Sequence, residues 1–110
     1  MIYFVGAGPG SEDLITVRGQ RYLTEADIVI YAGSLVNPAL LKNTKEDCQI
    51  YNSAYMTLPE VIQVMEEGEK AGKMTVRLHT GDSSLYGAGR EQMEELQRRN
   101  IAWEVCPGVS

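Results

Sequence analysis

The sequence predicts an α/β domain of three layers: a five-stranded, mostly parallel sheet with helices on both faces. Short, nearly continuous apolar runs alternate with segments of helical periodicity, as strands buried on both sides and linked by crossover helices require. Glycine-rich turns follow the first, fourth and fifth of these runs.

Residues 2–5 form the first run, Ile-Tyr-Phe-Val, closed by glycines. Residues 16–25 read as a helix on which Val17, Tyr22, Leu23 and Ala26 can share the buried side. A β-branched run at 27–31 gives the second strand, 38–42 a short helix, and 48–51 the third strand. Thr57-Leu-Pro-Glu60 is a helix start, because Thr57 can accept from the amide of Glu60 while Glu60 reaches back. Proline is tolerated in that first turn, where its missing N–H would have no partner. Leu58, Val61, Ile62 and Met65 then recur at helical spacing. Gly68 costs about 1 kcal/mol inside a helix, and Gly72 is placed to stop it in a left-handed conformation. Residues 74–79 give the fourth strand and 84–99 a helix with Leu85, Met93 and Leu96 inward. Glu94 with Arg98, and Glu95 with Arg99, are spaced as i, i+4 pairs on its wet face. Residues 101–105 give the fifth strand, after which Pro107-Gly-Val-Ser110 begins a new turn.

A chain of 110 residues is one domain by length and can bury a real core. Its net charge of -5 and scattered basic residues argue against a nucleic-acid partner and against an anionic membrane surface. No apolar run reaches the roughly 18 residues that span a bilayer. The opening Met-Ile-Tyr-Phe-Val-Gly has no basic segment ahead of it, so the expected compartment is the cytoplasm. Cys48 and Cys106 form no C-x-x-C pair and are expected as reduced, mostly buried thiols.

Ligands of open parallel sheets bind beyond the carboxyl ends of the strands. Three loops at that edge carry unusual glycine content: Gly6-Ala-Gly-Pro-Gly10; Thr80-Gly-Asp82 with Tyr86-Gly-Ala-Gly89; and Pro107-Gly-Val-Ser110. Glycine there lets a ligand approach main-chain groups directly. The first loop is not a dinucleotide fingerprint: Ser11 occupies the third glycine position and no carboxylate ends the second strand. No Gly-Lys-Ser/Thr follows, so it is not a nucleoside-triphosphate loop either. One histidine and two distant cysteines do not make a metal site. Ser83, Ser84, His79 and Asp82 are neighbours in sequence, which does not define a catalytic triad.

Val5-Gly-Ala-Gly-Pro-Gly10 with Leu14-Ile-Thr16 resembles the opening motif of the tetrapyrrole methylase superfamily. Ala26-Asp-Ile-Val-Ile-Tyr31 with Ser34-Leu-Val36, His79-Thr-Gly-Asp82 with Tyr86-Gly87, and Pro107-Gly-Val-Ser110 resemble its next three blocks, in order and over essentially the whole chain. Tyr31-Ala-Gly-Ser-Leu-Val36 and Arg77-Leu-His-Thr-Gly-Asp82 are most similar to the branch that methylates precorrin-4 or cobalt-precorrin-4 at C-11.

The resemblance implies a two-domain enzyme of cobalamin synthesis, of which residues 1–110 are the amino-terminal domain and the carboxyl-terminal domain is absent. It implies S-adenosylmethionine bound in the cleft between domains, a small-molecule tetrapyrrole substrate, and a homodimer. It assigns cofactor contacts to Pro9, to Thr80, Gly81 and Asp82 through backbone groups, and to Leu85. Related uroporphyrinogen methylases have an acidic residue after the second strand that is proposed as a base. Here Gly33-Ser34 stands in that place, so no catalytic acid–base residue carries over. Arg18 and Arg90 are candidates for meeting substrate carboxylates. A diphthine synthase type of methyltransferase on the same fold, and a non-catalytic binding module, are the alternatives.

Overall fold

The computed structural model describes residues 1–7, 17–31, 41–42, 44–80 and 90–106. Among the described residues, five strands and three α-helices follow in the order β1 (Ile2–Ala7), α1 (Val17–Glu25), β2 (Ile28–Tyr31), β3 (Gln49–Asn52), α2 (Leu58–Lys70), β4 (Thr75–Thr80), α3 (Arg90–Arg98) and β5 (Trp103–Cys106). They form one sheet in the order β3-β2-β4-β1-β5, and every pairing is parallel.

The apolar runs are explained by this arrangement, because the interior strands are covered on both faces. Ile2, Phe4, Ile28 and Ile30 point to one side, where they meet Val61, Ile62 and Met65 of α2 and Leu96 of α3. Val5, Val29, Val76 and Leu78 point to the other, where they meet Leu23 of α1 and Ala26. Successive strand residues face opposite ways, so the run Ile2 to Val5 serves two cores at once.

The right-handed crossover rule fixes which helix lies where. The connection from β1 to β2 moves one way across the sheet, which sends α1 to one face. The connections from β3 to β4 and from β4 to β5 move the other way, which sends α2 and α3 to the opposite face.

Helix α2 starts as its sequence predicts. Thr57 Oγ1 accepts from the Glu60 amide and the Glu60 carboxylate accepts from the Thr57 amide. Gly68 permits close helix–sheet contact: a Cβ there would lie 2.9 Å from Ile28 Cδ1 and 3.0 Å from Thr75 Oγ1. The helix stops at Gly72, with φ 72°, and the Lys73 amide returns to the Gly68 carbonyl at 2.8 Å. Helix α3 stops in the same way at Asn100, with φ 63° and the Ile101 amide 2.9 Å from the Leu96 carbonyl.

Several expectations need correction. β1 runs two residues further than the apolar pattern, since Gly6 and Ala7 still pair with β4. Val17 is 87% exposed instead of sharing the buried side of α1, because that side is centred on Gly19, Leu23 and Ala26. Arg98 pairs with Glu95 at i, i+3 and not with Glu94, which meets Arg90. Arg99 pairs with Glu95 as spaced, and also reaches Glu66 of α2. A 3-10 turn at Ser53–Tyr55 follows β3. Of the expected short helix at 38–42, only Leu41 and Lys42 lie within the described residues. Neither cysteine is in a disulfide; Cys106 is buried and Cys48 half-buried.

Asp27 ties the start of β2 to the turn before β4. One carboxylate oxygen accepts from the Met74 amide at 2.8 Å and the other pairs with Lys45. Lys45 first, and the Met74 amide second, hold the Asp27 carboxyl below its ordinary pKa. A depressed folded-state pKa stabilises the fold above the unfolded value, and that contribution is lost as pH falls through the folded value. Asp27→Asn is expected to lower the urea midpoint at pH 7, with the difference from the parent vanishing at acid pH. Urea titrations of both proteins from pH 7 down to about pH 3 check this. Thr57→Ala is expected to cost about 1 kcal/mol through loss of the helix cap, read from the same measurement at pH 7.

Candidate functional site

β1 and β4 are neighbouring strands that send their following helices to opposite faces of the sheet. β1 and β4 lie side by side through six register pairs ending Val5 with Leu78, Gly6 with His79, and Ala7 with Thr80. The helix after β1 lies on one face, and the helix after β4 lies on the other. Two chains that leave adjacent strand ends in opposite directions open a crevice between them, which is the general binding position of open α/β sheets. β5 pairs with the other edge of β1, with Cys106 beside Val5. The three glycine-rich loops singled out from the sequence therefore start from the adjacent strands β4, β1 and β5 at one rim.

Of the five proposed cofactor contacts, Thr80 is the last residue of β4, level with Ala7. Pro9, Gly81, Asp82 and Leu85 lie outside the described residues. Adjacent strands are about 4.8 Å apart, so the loops carrying Pro9 and Gly81 begin as near neighbours. Arg18 and Arg90 occupy the first turns of α1 and α3. Each already has a surface partner: Arg18 Nε donates to Tyr22 Oη at 2.9 Å, and Arg90 Nε to Glu94 at 3.3 Å. Exposed contacts of this kind are weak.

Beside the crevice is a buried charge that sequence reasoning passed over. Arg77, in the middle of β4, is 4% exposed. Its Nε donates to Gln92 Oε1 of α3 at 3.1 Å, and its Nη1 to the Leu78 carbonyl at 2.8 Å. Burial pulls its pKa down to about 10, which leaves it cationic at neutral pH. It lines an open pocket of about 180 Å³ together with Ser53, Met56, Leu58, Glu91 and Gln92. Ser53 in turn donates to the Tyr31 carbonyl, at the end of β2. The available signal was an arginine inside a strand, between Val76 and Leu78, which both pack into a core.

A larger pocket of about 290 Å³ lies elsewhere, among Ile28, Gln49, Gly68, Ala71 and Lys73. Ile28 and Gln49 open their strands, so this pocket sits at the amino rim. Its described lining lies at the opposite end of the sheet from Ala7 and Thr80, and the carboxyl rim remains the candidate site. Among the described residues, no group of three or more metal-ligating side chains occurs. None of their helices is long and apolar enough to cross a membrane.

A parallel sheet whose adjacent strands β1 and β4 send their helices to opposite faces has the general binding arrangement of open α/β proteins. The chain belongs to the tetrapyrrole (corrin/porphyrin) methylases, whose family model matches residues 1–110. It is 53% identical over 109 residues to the cobalt-precorrin-4 C(11)-methyltransferase of Methanocaldococcus jannaschii, covering 99% of this chain and 42% of that protein. The X-ray structure of a cobalt precorrin-4 methyltransferase, a cobalamin biosynthetic enzyme, superposes with a TM-score of 0.92 at 45% identity, over 99% of this chain and 46% of the other. A uroporphyrin-III C-methyltransferase from Thermus thermophilus, complexed with S-adenyl homocysteine, gives a TM-score of 0.79 at 33% identity, over 99% and 45%. The chain thus spans somewhat less than half the length of the relatives it matches.

Proposed function

We propose that this chain is the amino-terminal half of a cytoplasmic, homodimeric enzyme that uses S-adenosylmethionine to methylate precorrin-4 or cobalt-precorrin-4 at C-11. The observation that carries the reading is the β1–β4 rim, where Ala7 and Thr80 stand level and the following crossovers diverge. Identity to a cobalt-precorrin-4 C(11)-methyltransferase over 99% of the chain supports the substrate, in preference to other acceptors on this fold.

The bound cofactor would supply an activated methyl group on a sulfonium centre. The protein's own work is then to align donor and acceptor and to exclude water. Main-chain groups of Thr80, Gly81 and Asp82, with Pro9 and Leu85, are the residues of this chain that would hold the donor. Glycine loops suit that task, because they bring backbone donors and acceptors close without an intervening side chain. Arg18 and Arg90, at the rim ends of α1 and α3, would give up weak surface partners to meet substrate carboxylates. No acid–base residue of this chain is assigned to the reaction.

Half a cleft gives half the contacts, so the chain alone is expected to show no micromolar affinity for S-adenosylmethionine in a calorimetric titration. Joined as one polypeptide to the part of the Methanocaldococcus jannaschii relative that it does not cover, it is expected to transfer labelled methyl from S-adenosylmethionine to precorrin-4 or its cobalt form. Micromolar binding by the bare chain would contradict the half-site. A folded joined protein that neither binds the donor nor methylates either substrate would overturn the function.

A further inference from the structure

We propose that Arg77 is a positioning residue, whose buried guanidinium sets the spacing between the carboxyl end of β4 and the first turn of α3 and so aligns the cofactor rim. The inference rests on the function proposed above, because that rim is where the donor would be held.

The geometry is a two-sided tie. One donor of the guanidinium takes the Leu78 carbonyl, two positions before the end of β4 at Thr80. Another takes the side-chain oxygen of Gln92, the third residue of α3. The connection carrying Gly81, Asp82 and Leu85 leaves at Thr80 and returns at Arg90. The same planar group thus holds a residue two positions from each end of that connection. Leu78 is also the last β4 residue that pairs with β2, so its carbonyl lies where sheet support from that side ends.

Packing alone does not account for an arginine here. Both acceptors are uncharged, and Arg77 and Gln92 are each 4% exposed. Among the described residues no carboxylate pairs with Arg77; a cation buried against uncharged acceptors is costly, and an apolar side chain of similar volume usually packs as well or better. What the guanidinium supplies that methionine cannot is a rigid fork that reaches two acceptors in a fixed relation. Lysine presents a point charge on a flexible stem and is a poor substitute.

The test uses the joined polypeptide, with Arg77→Met, Gln92→Leu, the double variant and Gln92→Glu. KM for each substrate, kcat and the urea midpoint are measured for all four. Each single variant is expected to raise KM for S-adenosylmethionine about tenfold while leaving KM for the tetrapyrrole within about threefold, since misplacement acts on the donor. Gln92→Glu keeps an acceptor for Arg77 and is expected to stay within about threefold of the parent for both. The double variant removes the buried cation and the amide that faced it together, so its urea midpoint recovers relative to the single variants, yet its KM for the donor stays raised. A folded double variant with the parent's donor KM overturns the proposal, as does a KM that recovers in step with stability. Should Arg77→Met fail to fold, Gln92→Leu decides by the same split. A parent protein that does not bind the donor removes both this inference and the function it rests on, whereas binding unaffected by every variant removes this inference alone.

Discussion

The insertion of β4 between β1 and β2 is the constraint on which the rest of the structure depends. Had the strands paired in chain order, β1 would lie beside β2 and all crossovers could run over one face. With β4 in the centre, the connections on its two sides must travel in opposite directions. Right-handed crossovers then place α1 on one face and α2 with α3 on the other. The same insertion buries β1, β2 and β4 from both sides, and it sets the ends of β1 and β4 side by side at the carboxyl rim. Core and site are two consequences of one pairing.

The chemistry expected at that rim matches what the fold provides. A reactive methyl donor asks the protein for alignment and dryness more than for ionisable catalysts. The described residues are correspondingly sparing with buried charge: Arg77 is the charged side chain among them that is buried. It acts on main chain and on an uncharged amide, next to the loop proposed to hold the donor. Most other ionisable groups form pairs at the surface, as in the Glu66, Glu95, Arg98 and Arg99 cluster between α2 and α3.

Much of this was legible along the chain because local rules decide it. The capping box at Thr57 and Glu60 uses only a three-residue spacing, and Gly72 stops α2 because it alone among its neighbours accepts positive φ without strain. Asn100 does the same for α3, and the sequence gives a weaker sign of it. Other features were hidden because distant residues decide them. Gly68 looked like a cost in a helix until Ile28 and Thr75 appeared beneath it. β1 extends through Gly6 and Ala7 because β4 offers them partners, which no property of the two residues announces. Arg98 chose Glu95 over Glu94, a choice between spacings of equal reach on one helix.

By itself the sequence determined the α/β class, the number of strands, the boundaries of α2 and the family, because each depends on residue type at short spacing or on ordered motifs. The glycine loops were visible in the same way, as was the absence of a dinucleotide fingerprint. Only the tertiary structure decided the strand order, the neighbouring of β1 and β4, and the contact of Arg77 with Gln92. Those facts join residues many positions apart, and their energy comes from burial on two faces and from hydrogen bonds between elements. Such terms exist only once the chain has folded.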